Sequence, residues 1–136
     1  MLTEQDKARL LQASLEARAH SHSPYSGYAV GAAILDEQGR IHAGANIENA
    51  AYPQGWCAET TALSAMLMAG GKQAVAVLVT GPGPEVITPC GGCRQKLREF
   101  AGEELQIIAG DPSGIKDQWT LGELLPHSFG PDHLKN

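Results

Sequence analysis

The chain has 136 residues, of which 43% are hydrophobic, so we expect one domain spanning residues 1–136 with a buried core. Its net charge of −5 and its lack of a Lys/Arg stripe argue against a nucleic-acid partner, because a polynucleotide groove needs basic side chains along it. No apolar run is long enough for a membrane span and the N-terminal residues do not resemble a signal peptide, so three cysteines favour a reducing, cytoplasmic location.

The first half of the chain predicts one helix and one hairpin. Thr3 is a candidate N-cap for a helix that ends before Pro24, because a residue preceding proline is pushed out of the helical region. Residues 28–35 are apolar on both alternating faces and predict a central strand. A turn at 36–39 then leads to a second strand at 40–47, and a polar loop follows to residue 55.

The second half predicts alternating helices and strands. We expect a helix at 57–69, a strand at 74–80, a helix at 90–100, a strand at 105–109 and a short edge strand towards Trp119. Thr120 caps a last helical piece at 121–125, and residues 126–136 show no obvious element. Strands separated by helices tend to be parallel, whereas directly consecutive strands form hairpins. The sequence therefore predicts an α/β fold, a three-layer α/β/α sandwich around a mixed five-stranded sheet.

All three cysteines lie in two short motifs, Cys-Ala-Glu at 57–59 and Pro-Cys-Gly-Gly-Cys at 89–93. Cys90 and Cys93 share one face of a first helical turn, and Cys57 also stands at a helix start, so two helix N-termini favour the thiolates. Three such ligands are typical of a catalytic zinc with one position open for water. A metal lowers the pKa of that water to about 7, and Glu59 can reach the open position without being a ligand.

The cysteine spacing alone leaves other interpretations open. C-x-x-C is also the spacing of a redox-active pair, or of half a structural zinc site. A structural site, as in a zinc-stabilised interaction module without turnover, needs a fourth protein ligand. The candidates are five histidines, none of them closely spaced to a cysteine: His20, His22, His42, His127 and His133.

The two cysteine motifs, with Arg94 and Gln95 directly after the second, resemble the small three-cysteine form of the cytidine deaminases. The match also includes residues 24–26, 30–33, 46–50, 124–126 and 128–131, so it covers nearly the whole chain. The resemblance implies a hydrolase of pyrimidine salvage that converts cytidine and deoxycytidine to uridine and deoxyuridine with release of ammonia. Deamination of a related aminopyrimidine compound, such as a nucleoside antibiotic, is the alternative within the enzyme class.

The resemblance also implies catalytic roles, position by position. Cys57, Cys90 and Cys93 hold one zinc ion per chain and a hydroxide that attacks C4 of the pyrimidine. Glu59 takes the water proton, protonates N3 and later passes a proton to the departing amine. The Ala58 backbone accepts a hydrogen bond from the amino group.

Further implied contacts lie outside the metal site. Asn46 and Glu48 hold the ribose hydroxyls, and this pair would repel a phosphate, which favours a nucleoside over a nucleotide. Tyr28 stands where the family usually has an aromatic ring over the base. The small form is a homotetramer with active sites at subunit interfaces, so Phe129 is expected to reach a neighbour's pocket and Tyr52 to contribute across an interface.

One position departs from the family pattern. Many members have an arginine after the catalytic glutamate that hydrogen-bonds the zinc thiolates, whereas this chain has Thr60. Three thiolates around a divalent ion leave excess negative charge, which disfavours deprotonation of the water. Arg94 and the two helix N-termini are candidates for the compensating positive charge. Trp56, beside Cys57, is expected to narrow the pocket.

Overall fold

The computed structural model describes residues 2–134. In chain order its main elements are α1 (Glu4–Arg18), β1 (Gly31–Asp36), β2 (Ile41–Ala45), α2 (Ala58–Met68), β3 (Ala74–Thr80), α3 (Gly91–Glu99), β4 (Gln106–Asp111), β5 (Gly114–Thr120) and α4 (Leu121–Leu124). Two 3₁₀ turns, Tyr52–Gln54 and Pro131–Leu134, were not predicted, because a single turn has no hydrophobic period to detect. Met1, Lys135 and Asn136, which belong to the predicted domain and tail, lie outside the described residues.

The first helix begins at the predicted cap. Thr3 Oγ1 accepts a hydrogen bond from the Asp6 amide at 3.0 Å, and Asp6 Oδ2 accepts one from the Thr3 amide at 3.1 Å. This reciprocal pair satisfies two backbone donors that the first helical turn would otherwise leave without partners. Thr120 and Glu123 form the same arrangement at α4, which confirms the second predicted cap.

The five strands form one mixed sheet in the order β2-β1-β3-β4-β5. β3 and β4 are parallel and are joined through α3, whereas the other neighbouring pairs are antiparallel. Alternate residues of β1 face opposite sides of the sheet. Ala33 and Leu35 pack towards Leu10 of α1, and Ala32 and Ile34 pack in the core that includes α2 and α3. The predicted three-layer sandwich is therefore confirmed. Within residues 2–134, no helix has the length and apolar character needed to cross a membrane.

The first strand starts three residues later than predicted, at Gly31. In the residues just before β1, the Asn46 side chain forms the backbone hydrogen bonds that a neighbouring strand would otherwise form. Its Nδ2 donates to the Tyr28 carbonyl and its Oδ1 accepts from the Val30 amide, both at 2.9 Å. The apolar pattern predicted that residues 28–30 would pair within the sheet, but Tyr28 and Val30 bond the Asn46 side chain instead, so β1 begins later.

Gly44 allows α2 to lie directly on β2. A Cβ at this position would fall 2.7 Å from the Ala62 amide nitrogen and from Thr61 Cβ, so any side chain would push the helix away. This close contact fixes the height of α2 above the sheet, and with it the position of the residues at the start of the helix.

A buried carboxylate organises the β1–β2 turn. Asp36 is 1% exposed, and its oxygens bond His42 Nε2 at 2.8 Å, Arg40 Nε at 3.0 Å and the amides of Gln38 and Arg40. Burial by itself raises the pKa of Asp36, but the hydrogen bonds with His42, Arg40 and Gln38 outweigh it and lower the pKa from 3.8 to about 2. The carboxylate is therefore the stable form in the folded chain.

Acid should destabilise the fold through Asp36. Because its pKa is lower in the folded chain than in the unfolded one, its stabilisation is complete above about pH 5 and is lost as the pH falls towards 2. The effect is about 2 kcal/mol, since one pKa unit corresponds to about 1.4 kcal/mol. Urea unfolding should show the stability difference between wild type and Asp36→Asn shrinking as the pH is lowered through this range.

The matched control is the exposed carboxylate Asp117, whose Asn variant should unfold like the wild type throughout. Loss of zinc in acid affects all three proteins and cancels in the comparison. A difference between wild type and Asp36→Asn that stays constant with pH would contradict the assignment.

Candidate active site

The three sulfur atoms meet where two helices begin. Cys57 is the N-cap residue of α2, Cys90 is that of α3, and Cys93 lies in the first turn of α3. All three Sγ atoms lie within 4.8 Å of one another, and those of Cys57 and Cys90 are 3.9 Å apart. Neither N-cap sulfur bonds its own helix, so both are available to a common ligand.

This donor set fits one zinc ion. Tetrahedral coordination with Zn–S bonds of about 2.3 Å places two sulfurs about 3.8 Å apart, and the observed separation of Cys57 and Cys90 is 3.9 Å. The contact with the Cys57 sulfur, and burial, raise the pKa of the Cys93 thiol, so a cation is needed before all three can be thiolates. Among residues 2–134 no fourth donor joins the cluster, which leaves the structural-zinc interpretation without its histidine.

A cavity of about 290 Å³ opens beside the sulfurs. It is lined by Tyr28, Val30, Asn46, Cys57, Ala58, Glu59, Ile87, Thr88 and Cys90. Glu59 is only 4% exposed, and burial raises the pKa of its carboxyl, while the charge of Lys96 acts in the opposite direction. A carboxyl with a raised pKa exchanges its proton closer to neutral pH, which suits a general acid and base.

Thr60 supports the sulfur cluster without adding charge. Its Oγ1 lies 3.6 Å from Cys93 Sγ, within hydrogen-bond range for sulfur. The residue that replaces the usual arginine therefore contacts one thiol by a neutral group. A hydroxyl can polarise a thiolate, but it leaves the net charge of the cluster unchanged.

Arg94, the predicted source of compensating charge, is engaged elsewhere. Its Nε, Nη1 and Nη2 donate to Pro89 O, Leu124 O and Thr88 Oγ1, each at 2.7 Å. Within the described chain none of its hydrogen bonds reaches a cysteine sulfur. The guanidinium instead holds the loop that enters α3, so charge compensation by Arg94 stays a prediction and would have to act through space.

The predicted ribose contact Asn46 lines the cavity but is largely engaged in the fold. Besides its bonds to Tyr28 and Val30, its Oδ1 accepts from Ser21 Oγ. One N–H of its amide is not used by any hydrogen bond found among residues 2–134. That N–H is the group with which Asn46 can donate a hydrogen bond to a substrate.

The second predicted ribose contact, Glu48, shapes the turn beside it. Its Oε1 accepts from the amides of Tyr25 and Ser26 at 2.9 and 3.1 Å, and Ser26 Oγ donates to its other oxygen. These bonds, above all those with Ser26, lower the pKa of the Glu48 carboxyl. Glu48 therefore carries a negative charge, but it is not among the residues that line the cavity beside Glu59.

Glu48 faces a second cavity of about 340 Å³. It is lined by Tyr25, Ser26, Glu48, Asn49, Tyr52 and Gly55. Tyr52 is 73% exposed and its ring centroid lies 5.7 Å from that of Tyr25. Phe129 is 56% exposed and lines neither cavity of its own chain. The predicted roles of Tyr52 and Phe129 across an interface stay predictions.

Sequence reasoning missed part of the cavity wall. Thr88 was recoverable, because it lies two residues before Cys90 on the loop that enters α3. Val30 and Ile87 are ordinary apolar residues and carry no chemical signal. Trp56 is not among the residues that line the cavity beside Glu59, and the Lys96 ammonium lies 5.4 Å from its ring centroid. The expected narrowing by Trp56 therefore finds no support in the cavity lining.

Comparison with known proteins agrees with this geometry. Residues 4–109, which include all three cysteines, match the model of the cytidine and deoxycytidylate deaminase zinc-binding region. The chain belongs to this deaminase family. The resemblance seen in the sequence is thereby confirmed, and the three-sulfur cluster fits the one zinc ion per chain that it implied.

Relatives of similar length extend the match over most of the chain. A cytidine deaminase of Halalkalibacterium halodurans is 35% identical over 131 residues, which are 96% of this chain and 99% of the relative. A cytidine deaminase of Mycobacterium tuberculosis is 40% identical over 119 residues, which are 88% and 86% of the two chains. The crystal structure of cytidine deaminase from Burkholderia pseudomallei superposes with a TM-score of 0.84 at 36% identity, covering 90% of this chain and 98% of that one.

Zinc binding should depend strongly on the sulfurs and more weakly on Thr60. Cys93→Ser removes one of three ligands and should abolish stoichiometric zinc in the purified protein. Thr60→Val should retain zinc but weaken its affinity by about tenfold, because groups that bond metal ligands typically tune affinity by about 10- to 100-fold. Atomic absorption and competition with a chromophoric chelator measure both effects.

The control is the same substitution one residue later. The Thr61 hydroxyl bonds the carbonyls of Ala45 and Cys57, and neither of these hydrogen bonds involves a sulfur. Equal zinc affinity in Thr60→Val and Thr61→Val would contradict the role of the Thr60 hydroxyl.

Proposed function

We propose that the protein catalyses the hydrolytic deamination of cytidine and deoxycytidine to uridine and deoxyuridine, with release of ammonia, in pyrimidine salvage. The observation that carries the proposal is the buried Glu59 carboxyl in one cavity with the sulfur cluster. Three protein ligands leave a zinc position open for water, whereas a zinc-stabilised module needs four. The cytidine deaminases that the chain matches over most of its length support cytosine nucleosides as substrates.

The chemistry is divided between the metal and Glu59. Zinc held by Cys57, Cys90 and Cys93 would supply a water whose pKa is lowered to about 7. The Glu59 carboxylate takes one proton from the water and delivers it to N3 of the pyrimidine. It then takes the second proton from the hydroxyl now bonded to C4 and passes it to the amino group, which leaves as ammonia while the C4 carbonyl forms. The burial of Glu59 supports this role, because a raised pKa makes both forms of the carboxyl accessible. The Ala58 carbonyl accepts a hydrogen bond from the amino group.

The groups in and around the cavity suit a nucleoside. Tyr28 lines the cavity and offers a ring surface beside the base. The remaining Asn46 N–H donates to a ribose oxygen, and Glu48 accepts from a ribose hydroxyl. Because the hydrogen bonds of Glu48 favour its ionised form, a phosphate group on the sugar would meet a negative charge.

Self-association completes the proposed site. We propose a homotetramer in which Phe129 and Tyr52 of one subunit reach the active site of another. Both rings are largely exposed in the single chain, so both are accessible to a neighbouring subunit. Three thiols without a disulfide partner suit the cytoplasm as the proposed location.

Glu59→Gln should lower kcat by about 10²- to 10⁴-fold, the usual contribution of a positioned general acid and base. The amide keeps the shape of the carboxyl but cannot accept and release a proton as the carboxyl does. Because Glu59 is not a zinc ligand, zinc should stay at one per chain. The fall in ultraviolet absorbance as cytidine becomes uridine measures kcat. Glu103→Gln, at an exposed position outside the cavity, serves as the matched control. A zinc-loaded wild type that deaminates no cytosine nucleoside would falsify the proposed function.

Mixed oligomers test the exchange of Phe129 between subunits. Glu59→Gln and Phe129→Ala chains should each be weakly active alone. When they are dissociated and reassembled together, sites that combine an intact Glu59 with a neighbour's intact Phe129 should form, and activity should exceed the sum of the separate variants. Sedimentation of the mixture establishes the oligomeric state. Activity no higher than that sum would show that Phe129 does not act on a neighbouring site.

A further inference from the structure

Arg98, on α3, is bonded on three sides. Its Nε donates to Ser128 Oγ at 2.9 Å, its Nη2 to Asp132 Oδ1 at 2.8 Å and its Nη1 to the Ala101 carbonyl at 3.5 Å. The Arg98 side chain is only 13% exposed, whereas that of Asp132 is 59% exposed, so the guanidinium is largely buried although its carboxylate partner faces water. The guanidinium therefore joins the end of α3 to residues 128–132, which we call the C-terminal hook.

The hook wraps closely around this guanidinium. Gly130 is buried, and a Cβ at this position would overlap the guanidinium of Arg98, at 2.5 Å from Nη1 and 2.6 Å from Nη2. Only a residue without a side chain lets the backbone pass this close. The hook is thus shaped to Arg98 by sterics as well as by hydrogen bonds.

Phe129 lies within the C-terminal hook, between Ser128 and Gly130. Gln95 Nε2 donates to the Phe129 carbonyl at 2.9 Å, which fixes the backbone to α3 a second time. The ring is stacked on His133 with centroids 5.1 Å apart, yet 56% of the residue is exposed. Its exposure does not come from a loose chain end, because the backbone on both sides is tied to α3.

The same helix carries two of the zinc ligands. Cys90 caps α3 and Cys93 lies in its first turn, whereas Gln95 and Arg98 hold the hook towards its other end. A helix of nine residues therefore connects the metal site of one subunit to the aromatic ring that this subunit presents outward.

We propose that Arg98 is a positioning residue for the active site of a neighbouring subunit. It holds the C-terminal hook in the shape that presents Phe129 to that site, and it contacts no substrate itself. The inference rests on the proposed function and on the proposed exchange of Phe129 between subunits, and it adds the residue on which that exchange depends. The competing explanation is that Arg98 only stabilises its own subunit.

Mixed oligomers separate the two explanations. Arg98→Met alone should lose about 10- to 100-fold in kcat/KM, as misplaced binding groups commonly cause, while zinc stays at one per chain. Its own Glu59 and cysteines are intact, so reassembly with Glu59→Gln chains, which carry an intact hook, should restore activity above the sum of the two. An arginine that only stabilises its own subunit would not be rescued in this way.

A double-mutant comparison and hydrogen exchange add independent readouts. Arg98→Met/Phe129→Ala should be no worse than Phe129→Ala, because Arg98 acts through Phe129. Amide hydrogen exchange should rise across residues 128–134 in Arg98→Met and not at the start of α3. Arg9→Met, which removes an arginine from α1 at the Gly39 carbonyl, is the matched control and should keep wild-type kcat/KM.

Losses that multiply in the double variant, or an absence of rescue by Glu59→Gln chains, would overturn the inference. If Arg98→Met does not fold, Ser128→Ala and Gly130→Ala can replace it, because they alter the contact between the hook and Arg98 from the hook. Both variants should show the same rescue by Glu59→Gln chains. A wild type without deaminase activity would overturn the proposed function and this inference together. An active wild type whose Arg98→Met variant is not rescued would overturn the inference alone.

Discussion

Three thiolates can share so small a volume only when positive charge faces them. Burial and the neighbouring sulfur both disfavour ionisation of Cys93, so the thiolate form of the cluster depends on a cation and on the amide groups of two helix starts. Each helix N-terminus contributes about half a positive charge. The sheet matters to the site chiefly because it brings those two helix starts together. Gly44 sets the height of α2, and Arg94 holds the loop that begins α3.

The substitution of Thr60 for an arginine changes the electrostatics of this cluster. The Thr60 hydroxyl can form a hydrogen bond with the Cys93 sulfur but adds no positive charge. The wall formed by the thiolates and Glu59 therefore keeps its negative charge unless a more distant group compensates. An uncharged substrate tolerates such a wall far better than an anionic one does. The neutral threonine and the ionised Glu48 thus favour the same class of ligand, a nucleoside without phosphate.

Much of the fold was predictable because it depends on local signals. The strand Ala74–Thr80 was predicted with its observed bounds from its apolar run, and both threonine caps were predicted from residues three positions apart. The sulfur cluster was predictable from the two cysteine motifs together with their resemblance to the deaminases, because the spacing alone also allowed a redox pair or a structural zinc site. Contacts between distant polar groups were not. Arg94 bonds the Leu124 carbonyl, 30 residues away. The start of β1 was predicted too early because the Asn46 side chain, 16 residues after Val30, bonds the Val30 amide in place of a neighbouring strand. No periodicity encodes such pairings, since they depend on the tertiary path of the chain.

The double engagement of Asn46 limits how this protein can evolve. Three of the hydrogen-bonding positions of its amide hold Tyr28, Val30 and Ser21 in place, and only the fourth is left for a ligand. A mutation there would alter sugar recognition and the entrance to the central strand at the same time. Asn46 is therefore a poor starting point for new substrate scope, in nature or in the laboratory. Changes in selectivity are more accessible at Tyr28. Its backbone N–H and carbonyl form hydrogen bonds with Ser26 and Asn46, while the residue lines the cavity.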